Sequence, residues 1–263
     1  PIIICAPTQR CGSTLLQRVF NRGGEAVIYG ENFFLLENMP ETIEAPLRAL
    51  QHRIDVTNRT EAAFYGGNKG VDATTLFPDY RGYITQVLSS YLQILEYYRL
   101  TTEEKGGSRW GLKHQIKNLP GFRMFLALVP AAQIVVIYRD VLHVARSYRA
   151  RWPERMQKRE HFVAFGQRWR RNTRFLLNLK RRKLVIKYET LIADPEPFVA
   201  QLRERTGAAM GEEEFQRKVN VNETGKVGDG YIPPAELTPE EKQWVLEGAN
   251  PLYHRLGYTG QGQ

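Results

Sequence analysis

The residues Arg10-Cys11-Gly12-Ser13-Thr14 are of types that bind anions, and they stand between an apolar run and a helical pattern. Free amides at the start of a helix, together with the positive end of its dipole, attract phosphate groups. Gly12 would let the backbone approach a phosphate closely, and Ser13 and Thr14 would add hydroxyl donors. Arg10 would add a positive charge. Gly-Ser-Thr is also a common helix start, so this segment alone predicts either a phosphate loop or a simple cap.

This segment is not a Walker A loop, whose pattern is G-x-x-x-x-G-K-[ST]. Ala6 and Cys11 stand where that pattern has glycines, and Gly12 stands where it has lysine. The difference argues against an ATPase or kinase of that type.

A second cationic group follows the apolar run Gln133–Tyr138. Arg139 comes directly after this run, Ser147 lies eight residues further on, and Arg151 follows Ser147 by four. Residues four apart share a helix face, so Ser147 and Arg151 could bind one ligand together. Beside Arg139 they predict a second phosphate site. The alternative is an ordinary surface helix that carries arginines.

The hydrophobic pattern predicts elements that could bring these residues together. Short β-branched runs indicate buried parallel strands, and helical patterns separate them. The expected fold is α/β, a three-layer domain with a central parallel sheet, which binds ligands beyond the carboxyl ends of its strands. The predicted strands are Ile2–Ala6, Val27–Tyr29, Gln133–Tyr138 and Leu184–Tyr188. The predicted helices begin at Ser13, cover about 140–150 and 159–179, and run from a capping box at Thr238 to about Leu256.

Length and composition suit one domain over residues 1–263, with a mostly helical insertion at about 40–105. No apolar run approaches the ~20 residues of a membrane span, so we expect a cytoplasmic protein with no membrane partner. The two cysteines, Cys5 and Cys11, are too few for a disulfide framework or a structural zinc site. The sequence does not predict an oligomeric state.

Taken together, the motifs resemble the cofactor signature of sulfotransferases that use 3′-phosphoadenosine 5′-phosphosulfate (PAPS). The loop of residues 10–14 is similar to the family's 5′-phosphosulfate loop, and Arg139 with Ser147 is similar to its 3′-phosphate motif. Residues 110–113, Trp-Gly-Leu-Lys, resemble an element common in bacterial members. Residues 188–191, Tyr-Glu-Thr-Leu, resemble a further family segment, and this likeness puts Tyr188 at the cofactor.

Within that family, the site resembles the tyrosylprotein sulfotransferase branch. That branch begins its loop with an arginine, like Arg10, and has a Gly-Glu pair after the second strand, like Gly30-Glu31. It also has an arginine one turn after the serine, like Arg151, and a lysine that closes over the cofactor, for which Lys226 is the counterpart. Cys11 replaces the usual serine of the loop, where the backbone carries the contact. The serine that this branch has shortly before its closing lysine has no clear counterpart here.

The resemblance implies that the α/β domain is P-loop-NTPase-like and that the helical insertion at about 40–105 lies on the acceptor side. It also implies in-line transfer of a sulfuryl group from PAPS to a hydroxyl on a small molecule, a sugar or a peptide, with PAP as product and no metal. Glu31 is the first choice for the general base. The alternative is His114, because cytosolic members use a histidine shortly after a lysine. Here His114 directly follows Lys113, and neighbours in a strand point to opposite faces. Arg10 and Lys113 would neutralise charge on the sulfuryl group and the leaving oxygen.

Two other classes of protein stay open. A nucleotide-dependent phosphotransferase could use the same scaffold. A polyanion-binding or nucleic-acid-binding protein would fit the net charge of +9, from 37 Lys and Arg against 28 Asp and Glu. Motifs spaced along strand ends favour the enzyme, so we expect no nucleic-acid partner.

Overall fold

The structure, a computed structural model, describes residues 1–30, 66, 80–216 and 234–259. The chain divides into two compact units. One comprises Pro1–Asn32, Thr101–Lys117 and Ala131–Gln263, and the other comprises Phe33–Leu100 and Asn118–Pro130. The predicted single domain with an insertion at about 40–105 stays a prediction.

A five-stranded sheet forms the centre of the first unit. Its strands are β1 (Ile2–Ala6), β2 (Ala26–Tyr29), β3 (Arg109–Gln115), β4 (Gln133–Tyr138) and β5 (Lys183–Lys187). The spatial order is β2-β3-β1-β4-β5, and every neighbouring pair is parallel. The predicted α/β fold, P-loop-NTPase-like with a central parallel sheet, is therefore confirmed.

Helices separate these strands along the chain. In the described ranges they are α1 (Ser13–Arg22), α2 (Tyr80–Glu104), α3 (Leu119–Leu128), α4 (Val141–Arg151), α5 (Arg159–Leu177), α6 (Tyr188–Ala193), α7 (Glu196–Thr206), α8 (Pro239–Ala249) and α9 (Leu252–Arg255). None of them combines the length and apolar character that crossing a bilayer requires.

Strand β3 was not predicted, because its sequence is not an apolar run. It carries Lys113, His114 and Gln115, all of which are buried. Gly111 lets it approach β1 closely, since a Cβ there would lie 2.3 Å from the carbonyl oxygen of Ile2. The fit of β3 thus depends on its neighbour strand.

Two predicted element bounds were wrong. The helix expected from Thr238 to about Leu256 is two helices, because Pro251 follows α8 and holds Asn250 in an extended conformation, with ψ 153°. Tyr188, predicted as the last residue of a strand, begins helix α6 instead.

Strand β1 lies in the middle of the sheet, and all five of its residues are buried. Ile4 and Ala6 belong to one apolar cluster with Leu16, Val19 and Phe20 of α1. This packing holds the amino end of α1 against the carboxyl end of β1, where the predicted phosphate loop lies.

Candidate functional site

The loop between β1 and α1 has a conformation that requires glycine at residue 12. Gly12 is the N-cap of α1 in the left-handed region, with φ 95°. A Cβ there would lie 2.3 Å from the ring of Tyr188. Because glycine offers no side-chain acceptor, the cap leaves the first amides of α1 available for an anion. The predicted loop therefore has the backbone geometry of an anion site.

Arg10 connects the two predicted phosphate sites. Its Nε donates to Oγ of Ser147, 2.8 Å away, although 137 residues separate the two in sequence. Nη1 of Arg139 donates to the carbonyl oxygen of Arg10 at 3.4 Å. The loop after β1 and the motif after β4 therefore form one cationic cluster at the carboxyl ends of adjacent strands.

Tyr188 closes this cluster from a third segment. The guanidinium of Arg139 lies 4.4 Å from the centre of the Tyr188 ring, a cation–π contact. The same ring lies against Gly12. Nε of Arg139 is buried and has no hydrogen-bond partner among the described residues. A buried donor of this kind suits a ligand that brings an acceptor.

Lys113 reaches the start of α1 from β3. Its side chain is buried, and Nζ donates to Oγ1 of Thr14 at 3.2 Å. Lys113 is in register with Ile4 of β1, so both side chains point to the sheet face that α1 covers. Arg10, Thr14 and Lys113 thus lie around the amino end of α1, and their role in binding an anion stays a prediction.

His114 points to the other face of the sheet, because it is in register with Cys5 instead of Ile4. It is 1% exposed. Burial, with a smaller contribution from the positive charge of Lys117, lowers the pKa of His114 to about 3. An imidazole with this pKa is a weak base, which argues against the rival assignment.

Cys11 turns its side chain into the core. Its Sγ is 3.4 Å from Oγ1 of Thr8, and burial raises the pKa of the thiol to about 11. Ligand contacts at this position would therefore come from the backbone. Both Cys5 and Cys11 are free thiols.

The remaining predicted site residues are Arg151, Glu31, Lys226 and Ser13. Arg151 is the last residue of α4, and its guanidinium lies 5.7 Å from the centre of the Trp152 ring. Its role beside Ser147 stays a prediction. Glu31 and Lys226 lie outside the described residues. Ser13, by contrast, is buried at the first position of α1.

Helix α5 supplies two supporting residues that the sequence analysis missed. Nδ2 of Asn172 donates to the carbonyl oxygens of Pro7 and Ile116, both at 2.8 Å, which ties the exit of β1 to the exit of β3. Nε1 of Trp169 donates to the carbonyl oxygen of Arg139 at 3.1 Å. The sequence does offer a signal for Asn172, which is an asparagine among the apolar positions of a long helix. A buried side-chain amide requires hydrogen-bond partners, so an asparagine at such a position indicates a structural contact.

Solved structures with this fold include two sulfotransferase domains. The domain from the olefin synthase of Synechococcus PCC 7002 is 18% identical, with a TM-score of 0.50 over 98% of this chain and 95% of that chain. The domain from the curacin biosynthetic pathway is 15% identical, with a TM-score of 0.52 over 98% of both chains. At these identities the likeness shows a common fold.

Sequence comparison gives the family. No curated protein matches this chain. The family model described as "Sulfotransferase family" matches residues 1–212, a range that contains the loop after β1, Lys113, the Arg139 motif and Tyr188. This chain therefore belongs to the sulfotransferase family.

Proposed function

We propose that this chain, a sulfotransferase by family, takes its sulfuryl group from PAPS and transfers it to a hydroxyl acceptor. The observation that carries the proposal is the contact of Arg10 with both Ser147 and Arg139. It joins an anion site at the start of α1 to a second cationic group, and a nucleotide with phosphate groups at both its 5′ and 3′ positions needs such a pair.

The residues at hand fit PAPS. The amides of α1, the hydroxyls of Ser13 and Thr14, and Lys113 would bind the 5′-phosphosulfate. Arg139 and Ser147 would bind the 3′-phosphate, and the buried Nε of Arg139 offers a donor for it. In the same proposal Arg151 and Lys226 add positive charge, Tyr188 borders the nucleotide and Cys11 contributes its backbone.

The catalytic part of the proposal concerns charge and one proton. PAPS supplies an activated sulfuryl group in line with the acceptor oxygen. Lys113 and Arg10 stabilise the negative charge that develops on the leaving side, and they do so from fixed positions. Glu31, the residue after Gly30 at the end of β2, takes the proton of the acceptor hydroxyl. The acceptor is a small molecule, a sugar or a peptide.

The test is calorimetry with three nucleotides. PAP differs from AMP only by the 3′-phosphate, and ADP carries as many phosphates as PAP in another arrangement. PAP should bind more tightly than both. Arg139→Ala should weaken PAP by roughly 1.5–3 kcal/mol, the value of a charge-assisted contact, and leave AMP nearly unchanged.

Arg182→Ala is the matched control. Arg182 is exposed and precedes β5 at its amino end, whereas the site lies at the carboxyl ends of the strands. The control should change the affinity for PAP little. Equal affinity of the wild-type protein for PAP, AMP and ADP would refute the assignment of the 3′-phosphate site. Magnesium-dependent use of ATP would instead support a phosphotransferase, and salt-sensitive binding of nucleic acid would support a polyanion-binding protein.

A further inference from the structure

The peptide unit that joins Arg139 to Asp140 is held at both of its polar atoms. Its carbonyl oxygen, on Arg139, accepts from Nε1 of Trp169 at 3.1 Å. Its N–H, on Asp140, donates to Oε1 of Glu189 at 2.9 Å. With both atoms engaged the peptide plane cannot rotate freely, so the direction in which the Arg139 side chain leaves the backbone is fixed.

Residues of the C-terminal segment hold the two carboxylates around this peptide. The hydroxyl of Tyr258 donates to Oε2 of Glu189 at 3.1 Å. The hydroxyl of Tyr253 donates to Oδ2 of Asp140 at 3.3 Å, while Oδ1 of Asp140 accepts from the amide of Leu142 and caps α4. Both oxygens of each carboxylate are therefore occupied.

The two tyrosines form a rigid support. Their ring centres are 5.3 Å apart in a stacked arrangement, and both side chains are buried. Nζ of Lys187 lies 4.2 Å from the centre of the Tyr258 ring, a cation–π contact. Burial raises the pKa of Asp140, and the negative charge of Glu189 raises it further. Negative charge behind an anion site is unfavourable unless donors satisfy it, and the tyrosines are such donors.

We propose that Glu189 is a positioning residue for the 3′-phosphate site, and that Tyr258 holds Glu189 in place while Tyr253 holds Asp140. The network fixes the backbone at Arg139 and at the start of α4, the helix that carries Ser147. The tyrosines come from residues beyond 212, where the family match ends. The C-terminal segment would thus complete a site whose ligand-binding residues belong to the matched region. This inference rests on the proposed function for the identity of the ligand.

The test combines three variants with PAP and AMP. Glu189→Ala removes the acceptor for the Asp140 amide, and Tyr258→Phe removes one hydroxyl but keeps the ring. Each should weaken PAP about tenfold while AMP affinity and turnover at saturating PAPS change little. Glu189→Gln keeps a carbonyl acceptor for the amide and should restore the preference for PAP. Tyr97→Phe, at a tyrosine that is 65% exposed on α2, is the control and should bind as the wild type does.

A second measurement needs no nucleotide. Exchange of the Arg139 Nε proton with solvent, followed by NMR in the free protein, should be faster in Glu189→Ala and Tyr258→Phe than in Tyr97→Phe. Unchanged exchange together with an unchanged preference for PAP would overturn the inference. So would equal losses for PAP and AMP, because they indicate general damage to the fold. If the wild-type protein shows no preference for PAP, the proposed function fails. The exchange rates still decide whether Glu189 positions the Arg139 side chain.

Discussion

Lys113 carries a charge in a buried position, with only 8% of the residue exposed. Burying an ammonium group is costly unless acceptors or negative charge compensate for it. Its Nζ donates to Thr14 at the start of α1, where an anion would provide such compensation. In the proposed function, Lys113 acts on the transferred sulfuryl group.

We expect Lys113→Ala to lower turnover by about 10²–10³, as for the loss of one fixed donor to a developing charge. PAP lacks the sulfuryl group, so its affinity should fall much less than in Arg139→Ala. The measurement is turnover and PAP affinity on the same folded preparations. Lys180→Ala, at an exposed lysine before β5, is the control. Near-normal turnover in Lys113→Ala would show that the lysine has a structural role only.

Glu31→Gln tests the general base. The amide cannot accept a proton, so turnover should fall by about 10²–10⁴ while PAP affinity stays nearly unchanged. The comparison variant is His114→Gln. Because the pKa of His114 is about 3, this change should leave the pH dependence of turnover as it is in the wild type. Retained turnover in Glu31→Gln and a collapse in His114→Gln would reverse the assignment.

Helices α5 and α8 approach each other at two glycines. A Cβ on Gly248 of α8 would lie 2.1 Å from the carbonyl oxygen of Val163 on α5, and a Cβ on Gly166 would lie 2.2 Å from that of Val245 on α8. This contact supports the helix from which Trp169 and Asn172 hold the loops of the site. The packing of the two helices therefore belongs to the architecture of the site.

The sign of the stability change in Gly248→Ala tests whether the two helices are in close contact. In a helix, alanine is more favourable than glycine by about 1 kcal/mol, so an uncrowded position would gain stability. Here the added methyl group must push the helices apart, and we expect a net loss of about 1–3 kcal/mol in the free energy of unfolding. Urea titration measures it. Gln243→Ala, at an exposed position of α8, should change stability little, and a gain in Gly248→Ala would contradict the close contact.

For the molecule as a whole, His114 links folding to pH. The pKa is about 3 in the folded chain and ordinarily about 6.5 in an unfolded one. Between these values the unfolded chain binds one more proton, so the free energy of unfolding falls as the pH is lowered from about 6.5 towards 3. The slope from this one group reaches about 1.4 kcal/mol per pH unit.

The wild-type protein should therefore lose about 1–2 kcal/mol more stability than His114→Gln between pH 7 and pH 5. Urea titrations of both proteins at the two pH values give this difference, and the contributions of the carboxylates cancel because both proteins share them. Equal losses would mean that His114 is accessible to protons in the folded chain.

The sequence by itself determined the fold class and the order of the site segments. β-Branched apolar runs at β1, β4 and β5 indicate buried parallel strands, because such patterns reflect local burial. Gly12 and the hydroxyl residues after it similarly indicate an anion site, since the backbone at a helix start provides most of its geometry. The order of the motifs along the chain was sufficient to suggest the family.

Tertiary structure alone decided which of these residues meet. Strand β3 is polar, and it became recognisable only through its pairing with β1 and β2. The contact between Arg10 and Ser147 spans 137 residues, and the burial of His114 depends on what covers its face of the sheet. Local sequence patterns cannot encode such contacts, because the contacts depend on how distant segments pack and on which side chains lose access to water. The same reason explains why Glu189 and Tyr258 emerged as partners only in the folded chain.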